Sequence, residues 1–231
     1  MFVRYPYSIL VELYLLILII LAGWTWKEMV AEQYLYYSYA TYCNVDKVSA
    51  WDCKWCQESS VSSFVPTAFP YDQKISGYGF VGYHPINQTS RLSSIMIFLI
   101  SFFNIFIDFY ISFLVVVSFR GTDDLENWII DLESAILTPY KNMTGVEVGE
   151  GFYKEWNDLS TQVLPAVYNL TTQFPSYQIW VTGHSLGAAI SILCAAELAS
   201  EGYEVNVYNY GLPRVGNEAF SDYYRSIVCI F

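Results

Sequence analysis

Charged residues, and basic residues above all, are scarce in this sequence of 231 residues. Charged side chains make up 14% of the chain, against about 25% in typical globular proteins. The 22 acidic residues outnumber the 11 basic ones, which gives a formal net charge of −11. Nucleic-acid binding needs clustered lysines and arginines to neutralise phosphates, so this balance excludes a nucleic-acid partner. Only two histidines are present, which argues against a multi-histidine metal site.

Apolar and aromatic residues, by contrast, are abundant, at 54% and 19% of the chain. This composition excludes a disordered protein, which needs low hydrophobicity and high charge. The length is that of one domain with room for a targeting segment. Two local runs, over 10–22 and 95–117, account for much of the apolar excess.

The first apolar run has the layout of a secretory signal peptide. Arg4 precedes it, and it ends in small residues. We therefore predict a signal peptide over 1–23, followed by a single domain over 24–231. An uncleaved signal anchor is the alternative, because the run approaches the length that spans a membrane.

Cysteines and glycosylation sequons favour the same secretory or lysosomal route, with a membrane location as the alternative. Cys43, Cys53 and Cys56 lie close together in the sequence, and we expect Cys43 to form a disulfide with one of the other two. Zinc is the competing interpretation, but neither a second CxxC nor a histidine pair completes four ligands. Three N-glycosylation sequons are present, at Asn87, Asn142 and Asn169.

Residues 92–113, which hold most of the second apolar run, lie between two predicted strands, over 75–85 and 114–119, and Asp108 is their only charged residue. Their hydropathy is that of a transmembrane segment. However, the two strands look like neighbours in one sheet, and a single span would put them on opposite sides of a bilayer. We therefore interpret 92–113 as a translated intron or a gene-model error. The alternative is a genuine apolar excursion that packs on the surface or enters one leaflet.

From Arg120 onwards, helical and strand patterns alternate. A short buried strand, QIWVTG, is followed by a helix, LGAAISILCAAELASEG, and by another strand, EVNVYNYG. This alternation predicts an α/β fold with a mostly parallel sheet flanked by helices.

The pattern with the clearest chemical meaning is G-x-S-x-G at 183–187, between the predicted strand and helix. This is the strand–turn–helix arrangement of a nucleophile elbow, which predicts Ser185 as the nucleophile. The helix N-terminus presents free N–H groups beside the hydroxyl, and the N–H of Leu186 is the natural first oxyanion donor. The alternative is a glycine-bounded turn with a serine that does no chemistry.

Further segments make the sequence resemble the class 3 lipases, which carry a fungal-lipase-like α/β-hydrolase domain. These segments are VVVSFRGTDDLENWIIDL, GEGFY, VTGHSLGAA and YNYGLPRVGNEAF. The resemblance covers about 27–224, apart from the insert at 92–113. It implies a secreted serine hydrolase that cleaves carboxylic esters of acylglycerols at a lipid–water interface. No metal or organic cofactor is implied, and we expect a monomer.

The resemblance also assigns the second oxyanion donor to Thr122 and a lid to about 123–136. The residues support a lid, because four apolar side chains fall at i, i+3, i+4 and i+7 on one helical face. An ordinary helix packed on the core is the alternative. The four apolar residues are Leu125, Trp128, Ile129 and Leu132.

The catalytic triad is incomplete. In this fold the order along the chain is serine, acid, histidine, and no histidine follows Ser185. His184 should point away from the serine hydroxyl, and His84 reads as a hairpin residue. We therefore expect that the sequence lacks the part carrying the acid and the base, and that this chain is weakly active or inactive.

Two other functions stay open at this point. One is an esterase for smaller or sugar-linked acyl groups. The other is a catalytically dead, lipase-like protein that associates with membranes through 10–22 or 95–117.

Overall fold

A computed structural model describes residues 28–72, 77–85, 113–122 and 136–228 of the chain. Within these residues, a six-stranded sheet lies between two layers of helices, and a two-stranded ribbon stands beside it. The strands are β1 (Val65–Ala68), β2 (Tyr71–Asp72), β3 (Gly77–His84), β4 (Leu114–Phe119), β5 (Leu137–Pro139), β6 (Glu147–Gly149), β7 (Gln178–His184) and β8 (Val205–Tyr210). The helices are α1 (28–40), α2 (Val45–Ser49), α3 (Glu150–Gln173), α4 (Leu186–Ser200) and α5 (Glu218–Ile227), and a 3-10 turn covers Trp55–Gln57.

The large sheet has the order β1-β3-β4-β7-β8, and β2 pairs with β3. The pairs β4–β7 and β7–β8 are parallel, whereas β1, β2 and β4 all pair with β3 in the antiparallel sense. The predicted α/β class is confirmed, but within the described residues the sheet is mixed rather than mostly parallel, with two parallel and three antiparallel pairs. The parallel part is the part that includes the G-x-S-x-G segment. Parallel strands need a crossover connection, and α3 and α4 supply those connections.

Both faces of the sheet are covered, which explains why its central strand is uniformly apolar. All six residues of β4 are buried. Val115 and Val117 contact the core beneath α3 and α4, whereas Leu114 and Val116 contact the core beneath α1. Side chains of a strand point alternately to its two faces, so LVVVSF supplies both cores at once.

The layer that contains α1 is built largely from aromatic rings. Tyr34 stacks on Trp180 of β7 with ring centroids 4.5 Å apart. Buried hydroxyls join the helix to the sheet as well. The Ser118 hydroxyl donates to the Tyr37 carbonyl at 3.1 Å, and the hydroxyls of Ser38 and Thr182 are 2.9 Å apart. Buried polar groups need such partners, so these bonds fix where α1 lies on β4 and β7.

The opposite layer is formed mainly by α3 and α4. The buried residues of α3 recur at three- and four-residue intervals, for example Phe152, Trp156, Leu159 and Val163. Such spacing is that of one helical face. Helix α4 is buried almost all round, as expected for a helix lying between the sheet and its neighbours.

The two strands that border the second apolar run are direct neighbours, as the sequence predicted. His84, at the end of β3, pairs with Leu114, at the start of β4. The chain therefore leaves and re-enters the sheet at the same end. Residues 86–112, which include most of the insert predicted at 92–113, lie outside the described residues, as does the segment predicted as a signal peptide. No helix within the described ranges is long and apolar enough to cross a bilayer.

Candidate active site

Ser185 occupies a sharp turn between β7 and α4. Its backbone has φ 57° and ψ −121°, a conformation that L-residues rarely adopt and that costs about 1–3 kcal/mol when the surroundings enforce it. Its N–H donates to the carbonyl of Tyr210 on the neighbouring strand at 2.9 Å. The residue is 6% exposed. The strand–turn–helix predicted from G-x-S-x-G is therefore present.

The two glycines of this motif are required by close backbone contacts. A Cβ at Gly183 would overlap the carbonyl oxygen of Gly187, and a Cβ at Gly187 would overlap the carbonyl oxygen of Phe119. The start of α4 thus lies directly against the ends of β7 and β4. Larger residues at these positions would push the serine turn away from the sheet.

The N-terminus of α4 gives this turn a positive local potential. Leu186 is the first residue of the helix, so its N–H has no intrahelical acceptor. The aligned peptide dipoles add partial positive charge at the same point. A negatively charged oxygen beside Ser185 would be stabilised by both effects.

The end of β4 brings a second segment to Ser185. Phe119 pairs with Gly183, and Gly121 then passes close to the turn. A Cβ at Gly121 would be 3.3 Å from Ser185 Cβ and would overlap both the Tyr42 hydroxyl and the His184 carbonyl oxygen. Thr122 follows Gly121 directly. The fold therefore brings the segments that carry Leu186 and Thr122 to the same serine.

Both histidines lie within the described residues, and neither makes a hydrogen bond to the Ser185 side chain. The His184 side chain is bound elsewhere, because its Nδ1 is 2.8 Å from the Tyr42 hydroxyl. Its ring also contacts the Tyr42 ring edge-on, with centroids 5.9 Å apart. Partial burial lowers the pKa of His184, so the imidazole is neutral at physiological pH. The expectation that this side chain makes its hydrogen bond away from the serine hydroxyl agrees with this geometry.

His84 lies at the other end of the sheet. It pairs with Leu114, which in turn pairs with Gln178 at the start of β7. Ser185 follows the last residue of β7, and a strand rises about 3.3 Å per residue, so the two residues lie more than about 20 Å apart along the sheet. His84 is buried, its Nε2 is 2.5 Å from the Ser63 hydroxyl, and burial lowers its pKa to about 4. It is a strand residue with a structural role.

Glu155 is a buried carboxyl that the sequence reasoning missed. It lies on the buried face of α3, and its Oε1 would be 2.9 Å from a Cβ at Gly77. Burial raises its pKa to about 7, Asp72 adds to this effect, and Arg120 opposes it. The signal in the sequence is that Glu155 falls among Phe152, Trp156 and Leu159 on the apolar face of the helix.

The cysteines correct one expectation. Cys53 and Cys56 form a disulfide with each other, and Cys43 is a free, half-buried thiol. The prediction that Cys43 is bridged to one of them was wrong. The 3-10 turn at Trp55–Gln57 brings the two nearer cysteines to a Cα–Cα distance of 4.9 Å, which lies within the range that a disulfide needs.

Some of the predicted residues lie outside the described ranges. The lid residues Leu125, Trp128, Ile129 and Leu132 and the sequon at Asn87 are outside them. Asn142 and Asn169 are both exposed, as glycosylation requires. Across the described ranges, no three His, Cys, Asp or Glu side chains lie close enough together to hold a metal ion.

The chain is similar to known proteins both in sequence and in fold. Residues 116–230 match the family described as lipase (class 3). The chain is 37% identical to a lipase of Rhizomucor miehei over 110 residues, which is 46% of this chain and 30% of that protein. It is 36% identical to secreted mono- and diacylglycerol lipase 1 of Fusarium solani over 109 residues, which is 47% of this chain and 32% of that protein.

The fold agrees with these matches. The structure of a lipase from Rhizopus microsporus var. chinensis superposes with a TM-score of 0.69 at 26% identity, covering 87% of this chain and 62% of that one. The sequence matches span about a third of the length of the curated relatives.

Proposed function

Because residues 116–230 of this chain belong to the class 3 lipase family, we propose that the protein is a secreted serine hydrolase that cleaves carboxylic esters of acylglycerols. The observation that carries the proposal is the backbone of Ser185, held at φ 57° between β7 and α4. Such strain persists only where the surroundings enforce it. Here the contacts of Gly183, Gly187 and Gly121 enforce it.

In the proposed reaction, Ser185 Oγ attacks the ester carbonyl and loses its proton to a base. The tetrahedral oxyanion is held by the backbone N–H groups of Leu186 and Thr122. Collapse of this intermediate breaks the bond to the alcohol, which leaves with a proton, and the acyl group stays on Ser185. Water then hydrolyses the acyl-enzyme and restores the serine.

We infer that neither histidine of this chain acts as the base. Its two histidines are His84, more than about 20 Å away along the sheet, and His184, whose Nδ1 is bonded to Tyr42. Serine is a weak nucleophile without a base. An enzyme that keeps only the oxyanion hole and substrate binding retains roughly 10³–10⁴-fold catalysis over water. We therefore expect the 231-residue chain alone to hydrolyse esters slowly.

The secretory route has support from outside the active site. Asn142 and Asn169 present their sequons at the surface, and the Cys53–Cys56 disulfide suits an oxidising compartment. Relatives include secreted mono- and diacylglycerol lipases. Acylglycerols are the substrate class that these relatives favour for this chain.

Hydrolysis of a short-chain ester tests the proposal most simply. The chain should release product slowly, and Ser185→Ala should abolish that release. Ser160→Ala, at a partly exposed position on α3, is the matched control and should leave the rate unchanged. If Ser185→Ala hydrolyses the ester as fast as the unsubstituted chain, the proposed nucleophile is wrong.

A further inference from the structure

We propose that Tyr42 is a positioning residue that fixes the spacing between the serine turn and the oxyanion segment. The inference rests on the proposed function, in which Ser185 reacts and Thr122 donates a hydrogen bond. It concerns a residue that lies more than 140 positions upstream of Ser185 in the chain and outside every motif singled out in the sequence.

The route by which Tyr42 reaches the site is well defined. Helix α1 crosses β4 and β7, where the Ser118–Tyr37 and Ser38–Thr182 hydrogen bonds hold it. A turn follows, in which the Tyr42 N–H donates to the Tyr39 carbonyl at 3.1 Å. Because Ser118 and Thr182 lie near the carboxyl ends of their strands, this turn delivers Tyr42 to the end of the sheet that carries Ser185.

The hydroxyl of Tyr42 then fixes the ring of His184. The two groups are 2.8 Å apart, and the rings meet edge-on. The ring of a neutral histidine carries one proton. In the arrangement that we infer, Tyr42 donates to Nδ1 and the proton of the ring is on Nε2. On its other side, the ring faces Gly211, where a Cβ would be 3.6 Å from Nε2.

The same hydroxyl also limits the position of Gly121. The Tyr42 hydroxyl and the His184 carbonyl oxygen both occupy the space that a Cβ at Gly121 would need, and Ser185 Cβ is 3.3 Å from that point. The Tyr42 hydroxyl and the serine turn therefore meet against the same face of Gly121, the face on which a Cβ would stand. Since Thr122 is the next residue, a shift of Tyr42 moves the second oxyanion donor relative to Ser185.

Small errors in this spacing matter for catalysis. Oxyanion donors act when they are aimed at the position that the developing charge will occupy. Misplacement by about 1 Å can cost up to roughly 10²-fold. Loss of the partly buried Tyr42–His184 hydrogen bond, and with it the spacing of Gly121, should lower the acylation rate by about tenfold.

The variant Tyr42→Phe removes the hydroxyl and keeps the ring. Tyr39→Phe is the matched control, because Tyr39 belongs to the same turn but packs on Trp55 with ring centroids 5.0 Å apart. The chain has two histidines, so ¹⁵N NMR of the imidazoles gives two sets of signals. Tyr42→Phe should move the Nδ1 signal of His184 and the amide signals of Thr122 and Leu186, whereas Tyr39→Phe should leave all of them in place.

The unsubstituted chain provides a second measurement that does not depend on a variant's folding. His184 should carry its proton on Nε2, with Nδ1 as a hydrogen-bond acceptor. A proton on Nδ1, or amide signals of Thr122 and Leu186 that do not respond to Tyr42→Phe in a folded variant, would overturn the proposal.

Kinetics separate this proposal from the proposed function. With an activated p-nitrophenyl ester, Tyr42→Phe should lower the rate constant of Ser185 acylation about tenfold and leave KM unchanged, and Tyr39→Phe should change neither. An unchanged rate for Tyr42→Phe contradicts the positioning role. If the ester reacts no faster with the unsubstituted chain than with Ser185→Ala, the proposed function fails, and the NMR measurements still decide whether Tyr42 holds His184 and Gly121.

Discussion

At the residue scale, the serine turn requires glycine because there is no room for a Cβ atom beside it. Gly187 lies against the Phe119 carbonyl so closely that no Cβ fits. The contact is with the backbone of β4 and not with the end of a flexible side chain. The Phe119 carbonyl therefore cannot move aside without shifting the strand. The sequence requirement for glycine at this position is therefore steric.

Substitution of this glycine should be costly. Gly187→Ala should lower the free energy of unfolding by more than about 2 kcal/mol, because the start of α4 must move away from β4. Gly151→Ala is the control, since nothing lies within 4 Å of a Cβ there. It should be neutral or stabilise the chain by up to about 1 kcal/mol. Urea denaturation measures both, and equal effects would contradict the steric account.

At the scale of elements, β3 and β4 form the antiparallel half of the frame that holds the site. Their register runs from Gly79↔Phe119 to His84↔Leu114. Residues 86–112 fall in the sequence between His84 and Leu114, the last pair of these two strands. The pairs that hold β4 beside β7 run from Leu114↔Gln178 to Phe119↔Gly183, so none of them involves residues 86–112.

A short turn should therefore be able to replace the inserted run. If Asn-Gly replaces 86–112, the new loop joins Pro85 to Phe113, which flank the pair His84↔Leu114. The connection between the paired residues His84 and Leu114 is then the four-residue loop Pro85-Asn-Gly-Phe113, a length that is common in β-hairpins. We expect this variant to fold, to be more soluble, and to keep its reactivity at Ser185. Circular dichroism and urea denaturation check the fold.

Replacement of helix α3, a segment of similar length, by the same dipeptide is the control for this experiment and should abolish folding. That helix supplies the buried residues Phe152, Trp156 and Leu159 to the core. An unfolded hairpin variant would mean that 86–112 contribute to the stability of the sheet.

At the scale of the whole molecule, two buried titratable groups set opposite pH dependences of stability. Burial lowers the pKa of His84 from 6.5 to about 4 and raises that of Glu155 from 4.5 to about 7. Between pH 4 and 6.5, the unfolded chain binds more protons at His84, so stability rises with pH. Between pH 4.5 and 7, the folded chain binds more protons at Glu155, so stability falls with pH.

Between pH 4.5 and 6.5 the two contributions should largely cancel. Glu155→Gln removes one of them, so its free energy of unfolding should rise with pH more steeply than that of the unsubstituted chain. His84→Gln should shift the slope in the opposite direction. The other titratable groups are common to all variants, so urea denaturation at pH 4.5, 5.5 and 6.5 isolates the two effects. Parallel slopes in all three proteins would refute the pKa assignments.

The parts of this molecule that were predictable from its sequence are those fixed by local rules. LVVVSF predicted a buried strand because both of its faces are covered, and G-x-S-x-G predicted the turn at Ser185 because its glycines meet backbone. Tyr42 and Glu155 were not predictable in the same way. Their roles depend on contacts with Gly121 and Gly77, which only the folded chain brings together.

The disulfide illustrates the same limit. Three cysteines close in the sequence were compatible with several pairings, and the local 3-10 turn at Trp55–Gln57 decides for Cys53–Cys56. Proximity in the sequence could not show that Cys43 is the free thiol. The distance of Cys43 from the other two cysteines depends on where α1 ends relative to the 3-10 turn.

The central claim is that Ser185, held in a strained turn at the start of α4, is the nucleophile, and that neither histidine of this chain serves as its base. Chemical rescue tests this claim most directly, with imidazole supplied as an external base during reaction with a p-nitrophenyl ester. Mass spectrometry of the intact chain and of its peptides then measures acylation of Ser185. We predict slow acylation at Ser185 that imidazole accelerates, and no acylation at this position in Ser185→Ala. Rapid acylation that imidazole does not change would mean that a base within the chain already serves Ser185, and an acyl group on a different residue would mean that Ser185 is not the nucleophile.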